Sequence, residues 1–168
     1  MPRLRQLFFW QFSACLLALF ITTISAHSAE MNGPARTIAG DTIEIAGVTI
    51  RLYGIDAPEN RQLCQRDNKP WHCGQEATWA LAYLIAGQWV ICDERDRDRD
   101  GRVVAVCYIG GRRGIDINAW MVEHGWALAD REYSEDYVAQ EHEAQIARRG
   151  IWSGTFQAPW DSRQDDGK

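Results

Sequence analysis

The first half of the chain carries an alternation of apolar and polar positions that is typical of strands. It runs from Arg36 to Tyr53 and predicts two strands joined at Ala46-Gly47. The segment GIDAPEN, residues 54–60, follows directly. Its glycine and proline disfavour regular structure, so we expect a loop that presents the carboxylates of Asp56 and Glu59.

The second half mixes helical and strand periodicities. Apolar residues recur at helical spacing in Gly74–Ala86, and β-branched residues in Gln88–Cys92 and Val103–Ile109 predict a hairpin around a charged turn. Two further helices are predicted over Ile117–His124 and Glu135–Arg148. An early run of strands, one inserted helix, a hairpin and terminal helices indicate an α+β domain built on a small barrel.

The N-terminal residues have the order of a secretory signal peptide. Two arginines precede the apolar run Leu7–Ile24, and small residues follow it. We therefore expect residues 1–29 to be removed and the protein to be periplasmic or secreted, without stable membrane association after cleavage. An uncleaved anchor is the alternative, because the run is close to the length that spans a bilayer.

Residues 30–152 then form one domain of ordinary size, and residues 153–168 are expected to be a polar C-terminal tail outside the core. Removal of residues 1–29 takes away two arginines and no acid, so the formal charge falls from -5 to -7. A negative protein can still have a locally basic cleft. Its affinity for long polyanions should be modest and sensitive to salt.

Four cysteines remain after residue 29, an even number in a chain expected to fold outside the cytoplasm. This favours two disulfides. Of the three possible pairings, we favour Cys64 with Cys73 and Cys92 with Cys107. A metal site is the alternative, but no two of the cysteines have the two-residue spacing typical of zinc.

Five residues have the chemistry that phosphodiester cleavage requires. Carboxylates can hold a hard cation that polarises the phosphate, and a further carboxylate can take a proton from water. Arginines can bind the remaining phosphate oxygens. The residues are Asp41, Arg51, Asp56, Glu59 and Arg102.

Each of these residues also has a plainer interpretation. Asp41 can be a turn residue after Gly40, and Asp56 and Glu59 can be solvated loop acids. Arg51 lies on a strand between apolar neighbours and needs a partner. That partner is either a substrate phosphate or a structural salt bridge with Glu59.

Six motifs occur in the order seen in the staphylococcal nuclease (thermonuclease) family. They are GDT, RLYGIDAPE, CGQEA, DRDGR, DINAWMVEHGWA and GIW, and they extend over about Arg36 to Trp152. The chain is identified as similar to this family by their order, since each motif alone is short. The resemblance implies a five-stranded OB-type β-barrel with three helices, an α+β fold.

The resemblance also implies a role for each candidate residue. A calcium ion would be held by Asp41, Asp56 and the backbone carbonyl of Ala57. Glu59 corresponds to the glutamate that activates water. The scissile phosphate would be bound by Arg51 and Arg102, and Tyr133 resembles a tyrosine of the nucleotide pocket.

Four positions depart from the family pattern. Ala39 replaces an acidic residue, which predicts weaker calcium binding. Ala57 replaces a threonine, but only its carbonyl is expected to bind the ion. Asp100 and Arg131 stand where the family has tyrosines, so substrate preference is more affected than chemistry.

These observations predict an exported, calcium-dependent nuclease (endonuclease) that hydrolyses DNA, RNA or both, with a monomer as the default state. The alternative is a non-catalytic OB-fold module that binds nucleic acid or oligosaccharide in the cell envelope. Such a module would typically lack the catalytic carboxylates, which this chain keeps. An envelope accessory protein that uses its acidic surface and tail to bind a partner is a third possibility.

Overall fold

The computed structural model describes the backbone of residues 30–166 and the side chains of residues 31–163. The expected signal peptide, residues 1–29, lies outside the described residues. Within the described part, no helix is both long and apolar enough to cross a membrane.

Residues 30–166 form ten strands and four helices, with one turn of 3-10 helix at Gly150–Ser153. The strands are β1 (Glu30–Ala39), β2 (Thr42–Ile45), β3 (Val48–Leu52), β4 (Ile55–Asp56), β5 (Cys64–Arg66), β6 (Lys69–Trp71), β7 (Trp89–Arg97), β8 (Val103–Ile109), β9 (Ile115–Asp116) and β10 (Leu128–Ala129). The helices are α1 (Cys73–Ile85), α2 (Ile117–Glu123), α3 (Val138–Ile146) and α4 (Pro159–Asp166).

Five strands close into a barrel. Their order is β3, β2, β1, β7 and β8, and a parallel pairing between β3 and β8 joins the two edges. The other four pairings are antiparallel. This mixed barrel, with α1, α2 and α3 around it, confirms the predicted α+β fold of the OB type.

The prediction of two strands between Arg36 and Tyr53 was wrong by one strand. The segment contains the end of β1 as well as β2 and β3, because the chain turns at Gly40-Asp41. A Cβ at Gly40 would lie 2.8 Å from the Cβ of Ala57, so the turn packs too tightly for a larger residue. The prediction treated Arg36–Ile45 as one strand and placed no turn at Gly40-Asp41, although these two residues interrupt the alternation of apolar positions.

Three local features were not predicted. The short hairpin of β5 and β6 precedes α1, and α3 is shorter than the predicted helix at both ends. The C-terminal segment, expected to be a polar tail, contains α4. It also contains a β-bridge between Thr155 and Gln65.

Both predicted disulfides are present. Cys92 and Cys107 are direct partners across β7 and β8 and are buried inside the barrel. Cys64 and Cys73 join β5 to the start of α1 in a smaller second cluster of buried residues. The main core lies between the barrel, α1 and α2, and includes Ile43, Ile50, Leu52, Leu81, Val90, Ala105, Ile117 and Met121.

Asn118 on α2 is a buried polar residue whose hydrogen bonds tie α2 to the barrel. Its side-chain oxygen accepts from the backbone N–H of Cys107 at 3.1 Å. Its Nδ2 donates to the carbonyls of Tyr53 at 2.9 Å and Ala105 at 3.2 Å. It therefore fixes α2 against β8 and against the chain that leaves β3.

Replacing Asn118 with alanine should lower the free energy of unfolding by about 1–3 kcal/mol, because the N–H of Cys107 and the carbonyl of Tyr53 lose this partner. The Ala105 carbonyl still accepts from the N–H of Tyr53. Asn32→Ala, on an exposed position of β1, is the matched control and should change it by less than about 0.5 kcal/mol. Urea unfolding followed by circular dichroism measures both. Equal effects of the two substitutions would contradict this role of Asn118.

Gly74, in the first turn of α1, allows the loop that carries Glu59 to approach the helix. A Cβ at Gly74 would overlap the backbone carbonyl group of Glu59. The start of α1 therefore determines where the Glu59 loop lies.

Gly74→Ala should destabilise the protein by about 1–3 kcal/mol, because the loop must move to make room. Gly47→Ala is the control: nothing lies within 4 Å of a methyl group added at this position, and only the left-handed backbone conformation (φ 81°) opposes it. That conformation costs about 1–2 kcal/mol. Urea unfolding measures both losses of stability. The amide chemical shifts of residues 59–62 separate the two causes, since only Gly74→Ala should move them.

Candidate active site

The parallel closure of the barrel brings two predicted arginines to the same end. In the register of β3 with β8, Ile50 lies opposite Val103 and Arg51 opposite Val104. Arg102 directly precedes β8. The residues are distant in sequence, and the closure places both in the wall of one cavity.

This cavity has a volume of about 610 Å³. Its wall contains five arginines and five carboxylates, so it is mixed in charge and not simply basic. The arginines are Arg51, Arg99, Arg102, Arg131 and Arg163, and the acids are Asp56, Asp98, Asp100, Asp130 and Glu132. Ala129, Tyr133 and Trp160 complete the wall.

Asp56 is the buried carboxylate of the site, with a side chain that is only 1% exposed. It ends β4, which pairs with β10, so that Asp56 lies opposite Leu128. Burial raises the pKa of Asp56 to about 6, against the opposing effect of a hydrogen bond from Arg163. A carboxylate this deeply buried needs cationic partners to remain charged.

Asp41 and Ala57 lie beside Asp56. The Oδ2 atom of Asp41 accepts a hydrogen bond from the backbone N–H of Ala57 at 3.4 Å, and its Oδ1 accepts from the Thr42 hydroxyl at 2.8 Å. The backbone carbonyl of Asp41 accepts from Leu52 N–H at 2.8 Å, which fixes the turn against β3. The charge of Asp41 contributes to the raised pKa of Asp56, so the two carboxylates repel each other.

Glu59 occupies a turn closed by Gln62. The backbone N–H of Gln62 donates to the Glu59 carbonyl at 2.7 Å, and the Gln62 side chain accepts from the Glu59 N–H at 3.2 Å. The Glu59 side chain is 41% exposed. Its Oε1 atom accepts a hydrogen bond of 2.7 Å from Arg163.

Arg51 contacts Asp56 and Asp130, and not Glu59, the partner expected if its role were a structural salt bridge. Its Nη2 lies 3.4 Å from Asp56 Oδ1 and 4.0 Å from Asp130 Oδ2. The guanidinium also lies over the ring of Tyr133, 5.9 Å from the ring centre. The anticipated salt bridge with Glu59 is thus replaced by contacts with Asp56 and Asp130.

Arg102 reaches the cavity but is paired within its own hairpin. Its Nε donates to Asp98 Oδ2 at 2.6 Å, and its Nη2 lies 3.6 Å from Asp100. The Arg102 side chain is 43% exposed, whereas that of Asp98 is 7% exposed, so water reaches the pair from the Arg102 side. An incoming phosphate can therefore compete with Asp98 for this guanidinium.

Tyr133 and Arg131, the two residues that the resemblance aligns with tyrosines of the nucleotide pocket, have different surroundings. Tyr133 is 45% exposed, and its backbone carbonyl accepts a hydrogen bond from the Tyr53 hydroxyl at 3.1 Å. Arg131, which stands where the family has a tyrosine, donates to the buried Glu141 at 2.6 Å. Arg131 is thereby committed to a structural contact with α3.

Sequence reasoning assigned no role to several residues of the cavity wall, among them Asp130, Trp160 and Arg163. Asp130 follows β10, and its backbone N–H donates to the carbonyl of Gly54 at 2.9 Å. Trp160 and Arg163 belong to α4, which folds back onto the site from the end of the chain. Arg163, an arginine among the acids of the C-terminal segment, was the one weak indication in the sequence that this segment contributes to the site.

Two aspartates at this end of the barrel offer carboxylate oxygens, the type of ligand that a hard cation takes. Asp41 accepts a hydrogen bond from the backbone N–H of Ala57, next to Asp56, and its charge raises the pKa of Asp56. The Asp56 carboxylate is buried and paired with Arg163. Among the described residues, no group of three or more His, Cys, Asp or Glu side chains could hold a metal ion. An ion here would need backbone carbonyl or water ligands in addition to the two aspartates.

Comparisons with known proteins identify the family of this chain. The family model described as staphylococcal nuclease homologue matches residues 49–154. The succinoglycan biosynthesis protein ExoI of Rhizobium meliloti (strain 1021) is 37% identical over 142 residues, which cover 83% of this chain and 73% of that protein.

Two further relatives have names that state an activity. An uncharacterized endonuclease of Escherichia coli is 33% identical over 150 residues, covering 85% of this chain and 91% of its own length. The micrococcal nuclease of Shigella flexneri is 34% identical over 161 residues, covering 87% of each chain. With a closed barrel, a matching family model and these relatives, the chain belongs to the staphylococcal nuclease family and is a hydrolase that cleaves phosphodiester bonds.

Proposed function

We propose that this protein is an exported, calcium-dependent endonuclease that cuts DNA, RNA or both. The observation that carries the proposal is the convergence of Arg51, Arg102 and the buried Asp56 on one cavity. This combination provides cationic groups for a phosphate beside a carboxylate suited to a metal ion. The micrococcal nuclease and endonuclease names of its relatives support the same activity.

Asp41, Asp56 and the carbonyl of Ala57 are the proposed calcium ligands. The repulsion between the two carboxylates would be relieved by a divalent cation between them. When bound, calcium would polarise a phosphate oxygen and stabilise the charge that develops on the phosphate. Arg163, which now bonds to Asp56 through both of its terminal nitrogens, is the competing partner of this carboxylate.

Arg51 and Arg102 are proposed to bind the phosphate from two sides. Arg51 comes from the rigid strand β3, and its position is fixed by Asp56 and Asp130. Arg102 comes from the exposed hairpin, where it can exchange Asp98 for phosphate. Both guanidiniums present paired donors that match phosphate oxygens.

Glu59 is proposed to take the proton of the attacking water, and Tyr133 to contact the nucleotide. Glu59 is partly exposed, so water can reach it, and a carboxylate in contact with water can act as a general base. Tyr133 lies in the cavity wall with an exposed ring. The ring can stack on a base, as aromatic residues do in single-stranded nucleic-acid sites.

The two disulfides support folding outside the reducing cytoplasm. We propose that the protein is periplasmic or secreted after loss of residues 1–29, and that it acts as a monomer. The domain limits of 30–152, with a C-terminal segment at 153–168, belong to the same proposal. Mass spectrometry of the exported protein and light scattering of the purified protein test these points.

Glu59→Gln should lower kcat for single-stranded DNA and RNA by about a hundredfold or more, because the amide cannot accept the proton of water. Chelation of calcium should abolish cutting by the unaltered protein. Glu123→Gln changes an exposed glutamate on α2 and should leave kcat unchanged. Binding of nucleic acid by the folded, calcium-loaded protein without any cutting would instead support a non-catalytic binding module.

Arg51→Lys should reduce kcat/KM by about a hundredfold, since a single ammonium replaces the paired donors on the phosphate. The control is Arg149→Lys, at an exposed arginine paired with Glu123, which should have no effect. Steady-state hydrolysis of a short labelled oligonucleotide provides both values. Full activity of Arg51→Lys would show that the paired donors are not needed.

A further inference from the structure

Helix α4 places a guanidinium directly on the carboxylates of the active site. Arg163 Nη1 donates to Asp56 Oδ1 at 3.0 Å, and Nη2 donates to Asp56 Oδ2 at 2.6 Å. The same Nη1 donates to Glu59 Oε1 at 2.7 Å. One side chain from the end of the chain thus binds a proposed calcium ligand and the proposed general base.

Helix α4 is attached to the rest of the domain at its first residue and at the segment just before it. Pro159 is buried, and the Gln62 side chain donates to the carbonyl of Gln157 at 2.7 Å just before the helix. Beyond this point Trp160, Asp161 and Arg163 are exposed as whole residues. The ion pairs of Arg163 with Asp56 and Glu59 therefore join the exposed part of the helix to the active site.

The guanidinium and a divalent cation compete for the same atoms. Both oxygens of Asp56 already accept hydrogen bonds from Arg163 in a bidentate pair. A calcium ion would need an Asp56 oxygen at about 2.3–2.6 Å. It would then lie next to another positive charge, and the two cations repel each other.

We propose that α4 is a displaceable inhibitory segment, in which Arg163 occupies the carboxylates until calcium binds and releases the helix. The inference rests on the proposed calcium-dependent function. Release would also free Glu59 to accept a proton. It would remove Arg163 from the wall of the cavity and open the site to substrate.

The competition between Arg163 and calcium for Asp56 is reciprocal: calcium weakens the Arg163 contact, and the Arg163 contact weakens calcium binding. Calcium should bind Arg163→Gln about tenfold more tightly than the unaltered protein, a coupling of ordinary size. Calcium should also increase hydrogen exchange of the backbone amides of α4 in the unaltered protein. Neither measurement depends on hydrolysis.

The experiment is isothermal titration of the purified proteins with calcium, together with hydrogen–deuterium exchange of the peptide that contains residues 159–166. Arg112→Gln is the matched control. It removes the same charge from another bidentate pair, Arg112 with Asp93, outside the cavity wall. It should leave calcium affinity unchanged, and Asp56→Asn should remove binding if the ion occupies the proposed site.

Tighter calcium binding by Arg163→Gln alone, with calcium-induced exchange in α4, supports the inhibitory segment. Measurable but equal affinities of Arg163→Gln and the unaltered protein would overturn it while leaving the calcium proposal intact. Absence of calcium binding in every variant would overturn the calcium site and the inference with it. Unchanged affinity with a large loss of hydrolysis would make Arg163 a phosphate-binding residue and would also overturn the inference.

Discussion

The parallel pairing of β3 with β8 is the constraint on which the active site depends. It closes the barrel, and it is also the contact that brings Arg51 near the start of β8, where Arg102 emerges. Asn118 reinforces the junction by bonding to the backbone of β8 and to the carbonyl of Tyr53. A rigid barrel end of this kind can hold cationic groups at fixed positions for a phosphate, which is what electrostatic catalysis requires.

Barrel closure also brings many charged side chains to one cavity. In the absence of substrate, the buried charges need partners from the protein itself. Asp56 is buried, so its negative charge is costly without partners. Arg51 contributes a long contact at 3.4 Å, whereas Arg163 contributes two shorter ones. Helix α4 thereby supplies the main cationic partner of this buried carboxylate.

Features that depend on a short segment of sequence could be predicted. The helix α1 and both disulfides were predicted from periodicity and cysteine spacing, and the structure has them. The predicted loop is present at Glu59 but not at Asp56, because Ile55–Asp56 forms β4 and the Asp56 side chain is buried. The turn at Gly40-Asp41 was not predicted, because only these two residues separate β1 from β2 and the residues on both sides are typical of strands.

The sequence by itself determined the residue types of the site and, through six ordered motifs, the fold. Tertiary structure decided which of those charges meet. The partners of Arg51 are Asp56 and Asp130, the latter 79 residues away. The contact of Arg163 with Asp56 spans 107 residues. Pairings at such separations follow from barrel closure and helix docking, which no local periodicity encodes.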